Sequence, residues 1–227
     1  DAYGKHLFID FEAEDSARPN TVHVHLGLFG KWRFGTGPSP EPRGEVRMRL
    51  MSSAAFAELR GPTTCEVLDE HMRSSAISKI GPDPIRRDAD RERAWQRVSR
   101  SQASIAGLLM NQEVFAGVGN IYRAEVLFRA GIAPERPGRE VDREEFDVVW
   151  NDLVTLMRAG VRRARIDTVR PEHMPKAMGR RAREDRHGGE VYVYRRTDQP
   201  CLVCGTPVAR ADLQGRNLYW CSTCQSA

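Results

Sequence analysis

With 227 residues the chain is long enough for one large domain or two to three small ones, and 40% apolar against 29% charged residues describes an ordinary globular protein. No apolar run approaches the length of a membrane span and no secretory or lipid-anchor segment is present, which excludes membrane-spanning and anchored classes and predicts a cytoplasmic protein. The net charge of +4 is mild but uneven: residues 158–186 carry ten Lys or Arg against four acids, a balance suited to a polyanion such as nucleic acid, or to a solvated loop.

In chain order, residues 1 to about 80 show short alternating runs, "KHLFIDFEA", "TVHVHLGLFG" and "VRMRLMSS", separated by turn-forming clusters such as "DSARPN" and "GTGPSPEPRG". Alternation between such turns predicts an antiparallel β-sandwich, domain 1–82. After "GPDP" at 81–84 the period changes, and "RERAWQRVSRS", "SIAGLLMNQ", "NIYRAEVLFRAG" and "REEFDVVWNDLVTLMRAGVRRA" carry apolar residues every three to four positions. This predicts a helical domain over 83–187, ending in a Pro- and Arg-rich loop expected to lack order of its own. A cysteine-bearing tail over 188–227 completes the expected α+β architecture.

Four of the five cysteines fall as Cys201-x-x-Cys204 and Cys221-x-x-Cys224 with sixteen residues between the pairs. Each C-x-x-C turn places two thiolates on one tetrahedral ion, and a tail this poor in apolar residues gains from a metal the folding free energy that a core cannot supply. One structural Zn2+ is expected, two disulfides being the alternative; an all-cysteine site leaves no open position for chemistry. Between the pairs, "LQGRN" predicts a hairpin with Arg216 at its tip, able to grip a phosphate bidentately. The stretch "AGVGN" opens a helix at about Asn120. Gly117 and Gly119 permit positive φ and close approach, so the helix N-terminus can face an anion, with Asn120 adding an amide donor. An ordinary helix–turn–helix corner is the alternative. Glu125, on the edge of the apolar stripe, should accept bonds from backbone donors of the turn or point to solvent.

Taken together, "GKHLFI" at 4–9, "HLGLFGKW" at 25–32, "LLMNQEVFAGVGNIYRAEVLFRAGIAP" at 108–134 and "CLVCGTPV…LQGRNLYWCSTCQ" resemble, in order, the formamidopyrimidine-DNA glycosylase / endonuclease VIII family. The resemblance spans nearly the whole chain. It implies an N-terminally incomplete sandwich, a helix-two-turn-helix domain and a zinc-finger β-hairpin. It also implies a bacterial, nucleoid-associated monomer whose partner is double-stranded DNA with oxidised bases or abasic sites. By matching position, Lys5 resembles the family's catalytic strand lysine beside the lesion phosphate, while Asn120 and Arg216 resemble its phosphate-binding asparagine and zinc-finger arginine. Glu125 resembles the glutamate that ties the two helices together. Leu28 and Phe29 occupy the loop that fills the gap left by an extruded base, the alternative being two apolar strand residues in a core.

The activity implied is excision of oxidised bases, pyrimidines favoured, followed by β,δ-elimination at the abasic site. In this family an N-terminal proline amine attacks C1′ and the following glutamate acts as general acid/base. The sequence has no Pro-Glu at its start, so the 227 residues alone are expected to bind DNA weakly and to be inactive or weakly active. A non-catalytic damaged-DNA-binding protein is the alternative.

Overall fold

A computed structural model of the chain describes residues 1–12, 19–185 and 189–226. The chain groups into two compact units, Asp1–Ile80 and Gly81–Ala227.

The first unit holds β1 (Ala2–Tyr3), β2 (His6–Asp10), β3 (Thr21–His25), β4 (Lys31–Thr36), β5 (Val46–Met51), β6 (Ala55–Arg60) and β7 (Thr64–Leu68), then helix α1 (Glu70–Lys79). The strands form two antiparallel sheets, ordered β1-β2-β3-β7 and β4-β6-β5. Phe8, Val24 and Leu68 in the first sheet and Phe56 and Leu59 in the second are buried, which is what period-two alternation selects. The second sheet also buries Glu58, opposite Arg33 and Arg49 in the register and bonded by Arg60 Nη2 at 2.8 Å. That hydrogen bond, with the three guanidinium groups around it, holds the Glu58 carboxyl below its ordinary range. Helix α1 lies where only strands are expected. It buries none of its residues, so it lacks an apolar stripe, and its local signal is Asp69, whose side chain accepts from Met72 N.

The second unit holds α2 (Arg91–Val98), α3 (Ile105–Met110), α4 (Asn120–Ala130), α5 (Arg143–Arg163), the short α6 (Pro175–Met178) and a hairpin of β8 (Ala209–Leu213) with β9 (Arg216–Trp220). Helix α5 starts at a capping box between Asp142 and Glu145, and α4 ends at Gly131 with φ 71°. Two cores flank α4. Val126 and Leu127 join one with Phe115, Phe146 and Leu153, whereas Ala124 and Phe128 join another with Tyr192, Val208, Tyr219 and Cys221. Composition separates 83–187 from 188–227, but packing on α4 joins them.

The connector expected to lack order carries a 3-10 turn at Pro171–His173 and α6, and Glu190 holds it by accepting from Arg180 Nη2 and Arg183 N, both at 2.6 Å. Residues 186–188 of that stretch, and 13–18, which include the start of the first turn cluster, lie outside the described residues.

Candidate nucleic-acid interface

In the first unit, Lys5 lies in the two-residue turn between β1 and β2 rather than on the strand where it is expected; Gly4, at φ 60°, lets the turn close there. Leu28 and Phe29 cap the turn between β3 and β4, closed by Gly30 N donating to Leu26 O at 2.9 Å. They are 79% and 86% exposed, so the core alternative does not hold for them. Two adjacent apolar side chains held in water gain nothing for the fold.

Beside Lys5 is a cluster that sequence reasoning missed. His6 pairs across the sheet with His25, their rings stacked at 4.6 Å; His6 Nδ1 lies 2.9 Å from His23 Nε2, and His23 Nδ1 lies 2.9 Å from Glu66 Oε1. The carboxylate accepts from His23 Nδ1, which leaves Nε2 to accept from His6 Nδ1. Burial first, then His25, His23 and Lys5, lowers the His6 pKa to about 4; burial, then Lys5 and His23, lowers that of His25. Both rings are neutral at pH 7.

In the second unit the glycine turn is built by a side chain that the motif reading passed over. Gln112 Oε1 accepts from Gly117 N at 3.0 Å and its Nε2 donates to Val118 O at 2.9 Å. Gly117 has φ 84°, as expected, but Gly119 is extended at φ −125°, a conformation open to any residue. What Gly119 supplies is an N-cap without a side chain, so α4 opens with no side-chain cap and no acid in its first turn.

Asn120, the first helical residue, does not cap that end. Its Nδ2 donates to Asn217 O at 3.0 Å, leaving a second amide proton. Arg216 is the first residue of β9, beside a two-residue turn at Gln214 (φ 55°) and Gly215 (φ 72°), so the tip is one step before the arginine. It is exposed, and among the described residues no acid pairs with it. Arg123 lies between Asn120 and Arg216, 1% exposed, bonded to Asn120 and Asn217. Arg123 and Arg216, with Asn111 and Gln214, line a groove of about 360 Å3.

Glu125 is fully buried, but its donors differ from the expected turn. Oε1 accepts from Val193 N and Tyr194 N, both at 2.9 Å, and Oε2 accepts from Tyr192 N at 2.7 Å and from Thr168 Oγ1. It ties α4 to the segment entering the hairpin.

The Sγ atoms of Cys201, Cys204, Cys221 and Cys224 all lie within 4.8 Å of one another, with Cys201–Cys224 at 3.9 Å and Cys204–Cys221 at 3.4 Å. Disulfides at ~2.05 Å are excluded. Tetrahedral Zn–S bonds of ~2.3 Å place sulfurs ~3.8 Å apart, so the set fits zinc. Burial pushes the Cys221 and Cys224 thiols up, while a hydrogen bond from Thr206 leads in lowering Cys204 to about 6; a divalent cation offsets the cost of holding four thiolates together.

Residues 80–170 match the model of the formamidopyrimidine-DNA glycosylase H2TH domain, and residues 198–227 match that of the zinc finger found in FPG and IleRS. The chain is 46% identical to Endonuclease 8 1 of Mycobacterium tuberculosis, over 99% of this chain and 82% of that protein. It is 30% identical to a formamidopyrimidine-DNA glycosylase of Synechococcus sp., over 98% and 79%. The Lactococcus lactis formamidopyrimidine-DNA glycosylase bound non-covalently to abasic-site DNA superimposes with a TM-score of 0.74 over 100% of this chain and 80% of that one, at 21% identity, a likeness of fold. On the extent of the mycobacterial match, the chain belongs to the formamidopyrimidine-DNA glycosylase / endonuclease VIII family.

Proposed function

We propose that this protein is a base-excision-repair DNA glycosylase with abasic-site lyase activity, acting on oxidised bases, pyrimidines favoured, in duplex DNA. The observation that carries the reading is the uncapped start of α4, with no acid in its first turn, where Asn120 bonds the residue after Arg216 and the exposed Arg216 lines a groove with Arg123. A cation such as Mg2+ would not be drawn to such a site; an anion is, and in DNA that anion is a backbone phosphate. Exposed Leu28 and Phe29 supply the apolar wedge that a base-extruding enzyme needs to offset unstacking. Lys5, in its turn beside neutral His6 and His25, would take the phosphate next to the lesion. The pyrimidine preference rests on the higher identity to the mycobacterial Endonuclease 8 1 than to the cyanobacterial formamidopyrimidine-DNA glycosylase.

On this reading one Zn2+ per chain holds the hairpin and does no chemistry. The protein works as a monomer in the bacterial cytoplasm, at the nucleoid; among the described residues, no helix is long and apolar enough to cross a membrane. The nucleophile would be an N-terminal proline amine that attacks C1′, forms a Schiff base and leads to β,δ-elimination, with a neighbouring glutamate moving protons. No Pro-Glu pair opens the 227 residues. Because the groove and wedge do not depend on that amine, a non-catalytic damaged-DNA binder is the second reading.

The test is borohydride trapping on duplexes carrying an abasic site or an oxidised pyrimidine, with Arg216→Ala measured in parallel. A covalent adduct on an N-terminal proline peptide supports the enzyme. Selective binding that Arg216→Ala weakens, without any adduct from the full-length protein, supports the binder. Equal affinity for intact and damaged duplex refutes both.

A further inference from the structure

We propose that the outer groove of α5, between the helix's second half and Ile85, is a docking site for an acidic segment of a partner protein that carries a large apolar anchor residue. The groove measures about 520 Å3 and is lined by Ile85, Val154, Thr155, Arg158, Val161 and Arg162. Counted from Val154 the helix residues fall at i, i+1, i+4, i+7 and i+8, which puts them on one face. Ile85 and Val154 are partly buried against the core that holds Leu153 and Met157. Val161, one turn beyond Met157, continues that apolar stripe past the end of the core and is 70% exposed. One exposed valine alone would be ordinary; with Ile85 and Val154 it forms the floor of a concave site. This groove shares no lining residue with the one at the start of α4, so the proposal does not rest on the DNA reading.

The floor is bordered by charge of one sign. Arg158 and Arg162 are exposed, and among the described residues no acid pairs with either. The acids of the two stretches that form the groove are already engaged: Asp152 accepts from Arg129 Nε at 2.5 Å and Nη2 at 2.7 Å, and Asp88 accepts from Arg86 Nε at 2.7 Å. Arg162, in the last turn of α5, also complements the helix dipole, a role that needs no ligand. That role does not reach Arg158, a turn earlier. An apolar floor with cations on its rim matches a segment that inserts an aliphatic or aromatic side chain and sets carboxylates on either side of it. The anchor takes Val161 out of water, and the carboxylates give the two guanidinium groups the bidentate acceptors they lack. Duplex DNA would use the arginines and leave the floor in water, so a peptide uses more of this surface than a nucleic acid does.

The experiment selects phage-displayed random peptides on the full-length protein, with Val161→Asp as the counter-selection. Peptides that bind the parent alone are synthesised with a fluorophore and titrated by anisotropy against the parent, Val161→Ser and Arg158→Gln/Arg162→Gln. Thermal unfolding, zinc content and affinity for an abasic-site duplex are read on each protein. The expected consensus is a large aliphatic or aromatic residue with Asp or Glu on both sides. Val161→Ser should weaken the peptide about tenfold, as for loss of one buried valine side chain. Arg158→Gln/Arg162→Gln should weaken it about fivefold at low salt and hardly at all at high salt, as for two ion pairs at a rim. Duplex affinity should stay at the parent value in both variants.

If Val161→Asp unfolds, Arg158→Gln/Arg162→Gln takes its place as the counter-selection. Failure to select any peptide that distinguishes the parent from the variant overturns the proposal, and so does a consensus without acids. Peptides that keep parent affinity for both Val161→Ser and the double arginine variant bind elsewhere and also overturn it. A fall in duplex affinity in the double variant, with no peptide selected, overturns it in favour of nucleic acid. A dimer in sedimentation velocity that Val161→Asp dissolves overturns it in favour of a second copy of the chain.

Discussion

Replacing Glu125 by Gln keeps the shape of a fully buried side chain and removes only its charge and half its acceptor capacity. At Oε1 the amide oxygen still accepts from Val193 N and Tyr194 N, but as neutral bonds each weaker by about 1 kcal/mol than bonds to a carboxylate. At Oε2 the new NH2 faces Tyr192 N–H at 2.7 Å, donor against donor, and a buried unsatisfied donor costs about 1–3 kcal/mol. Thr168 can turn its hydroxyl from donor to acceptor and recover its own bond. The expected loss is about 3–5 kcal/mol, a large part of the ~5–15 kcal/mol that holds a domain folded. Urea unfolding followed by far-UV circular dichroism measures it, and hydrogen exchange should show the Tyr192, Val193 and Tyr194 amides losing protection first. A loss under about 1 kcal/mol with those amides still protected would refute the assignment of Glu125 as the clamp between α4 and the hairpin segment.

Chelating zinc should unfold the hairpin and disperse the core that contains Cys201, Cys221 and the edge-on rings of Tyr194 and Tyr219, while α5 and its separate core keep their helical signal. Structural zinc contributes ~10–16 kcal/mol, beyond what so small a segment can replace, so an unchanged near-UV spectrum and duplex affinity after chelation would refute the role. For the 1–80 unit, the His6 pKa is lowered from 6.5 to about 4, so between those values the unfolded chain binds the extra proton. The stability contribution is therefore complete above pH 6.5 and is lost as pH falls toward 4, by about 1 kcal/mol after allowing for solvent screening of a half-buried ring. His6→Gln should flatten that part of the stability profile measured by thermal unfolding against pH, and an unchanged profile would remove His6 as its source.

What the sequence makes legible is what depends on near neighbours. Cysteine spacing locates the metal set, three-to-four periodicity locates α2 to α5, and the "AGVGN" turn locates the start of α4 within a residue. Helix α1 escapes because it buries nothing, and a stripe that faces no core leaves no period to find. Lys5 is misplaced by a residue because a two-residue turn and a strand start look alike without the partner strand. The histidine cluster depends on register: His23 meets Glu66 across 43 positions, and no local pattern links them. Arg123 reads as one more charged residue on an amphipathic helix, since its partner Asn217 is 94 residues away.

The two buried ions of α4 divide the helix between fold and ligand. Glu125 has every lone pair directed at a donor of its own chain, so its charge is spent on holding the hairpin segment in place. Arg123, two residues earlier and equally buried, has acceptors but, among the described residues, no counter-charge. One helix thus places a satisfied anion between itself and its own hairpin and an unsatisfied cation beside an uncapped N-terminus and the groove. Burial alone does not separate structural from functional charge, for both residues are hidden from water. Hydrogen bonding does: each lone pair of Glu125 has a donor, whereas among the described residues Arg123 has acceptors for Nε and Nη2 alone.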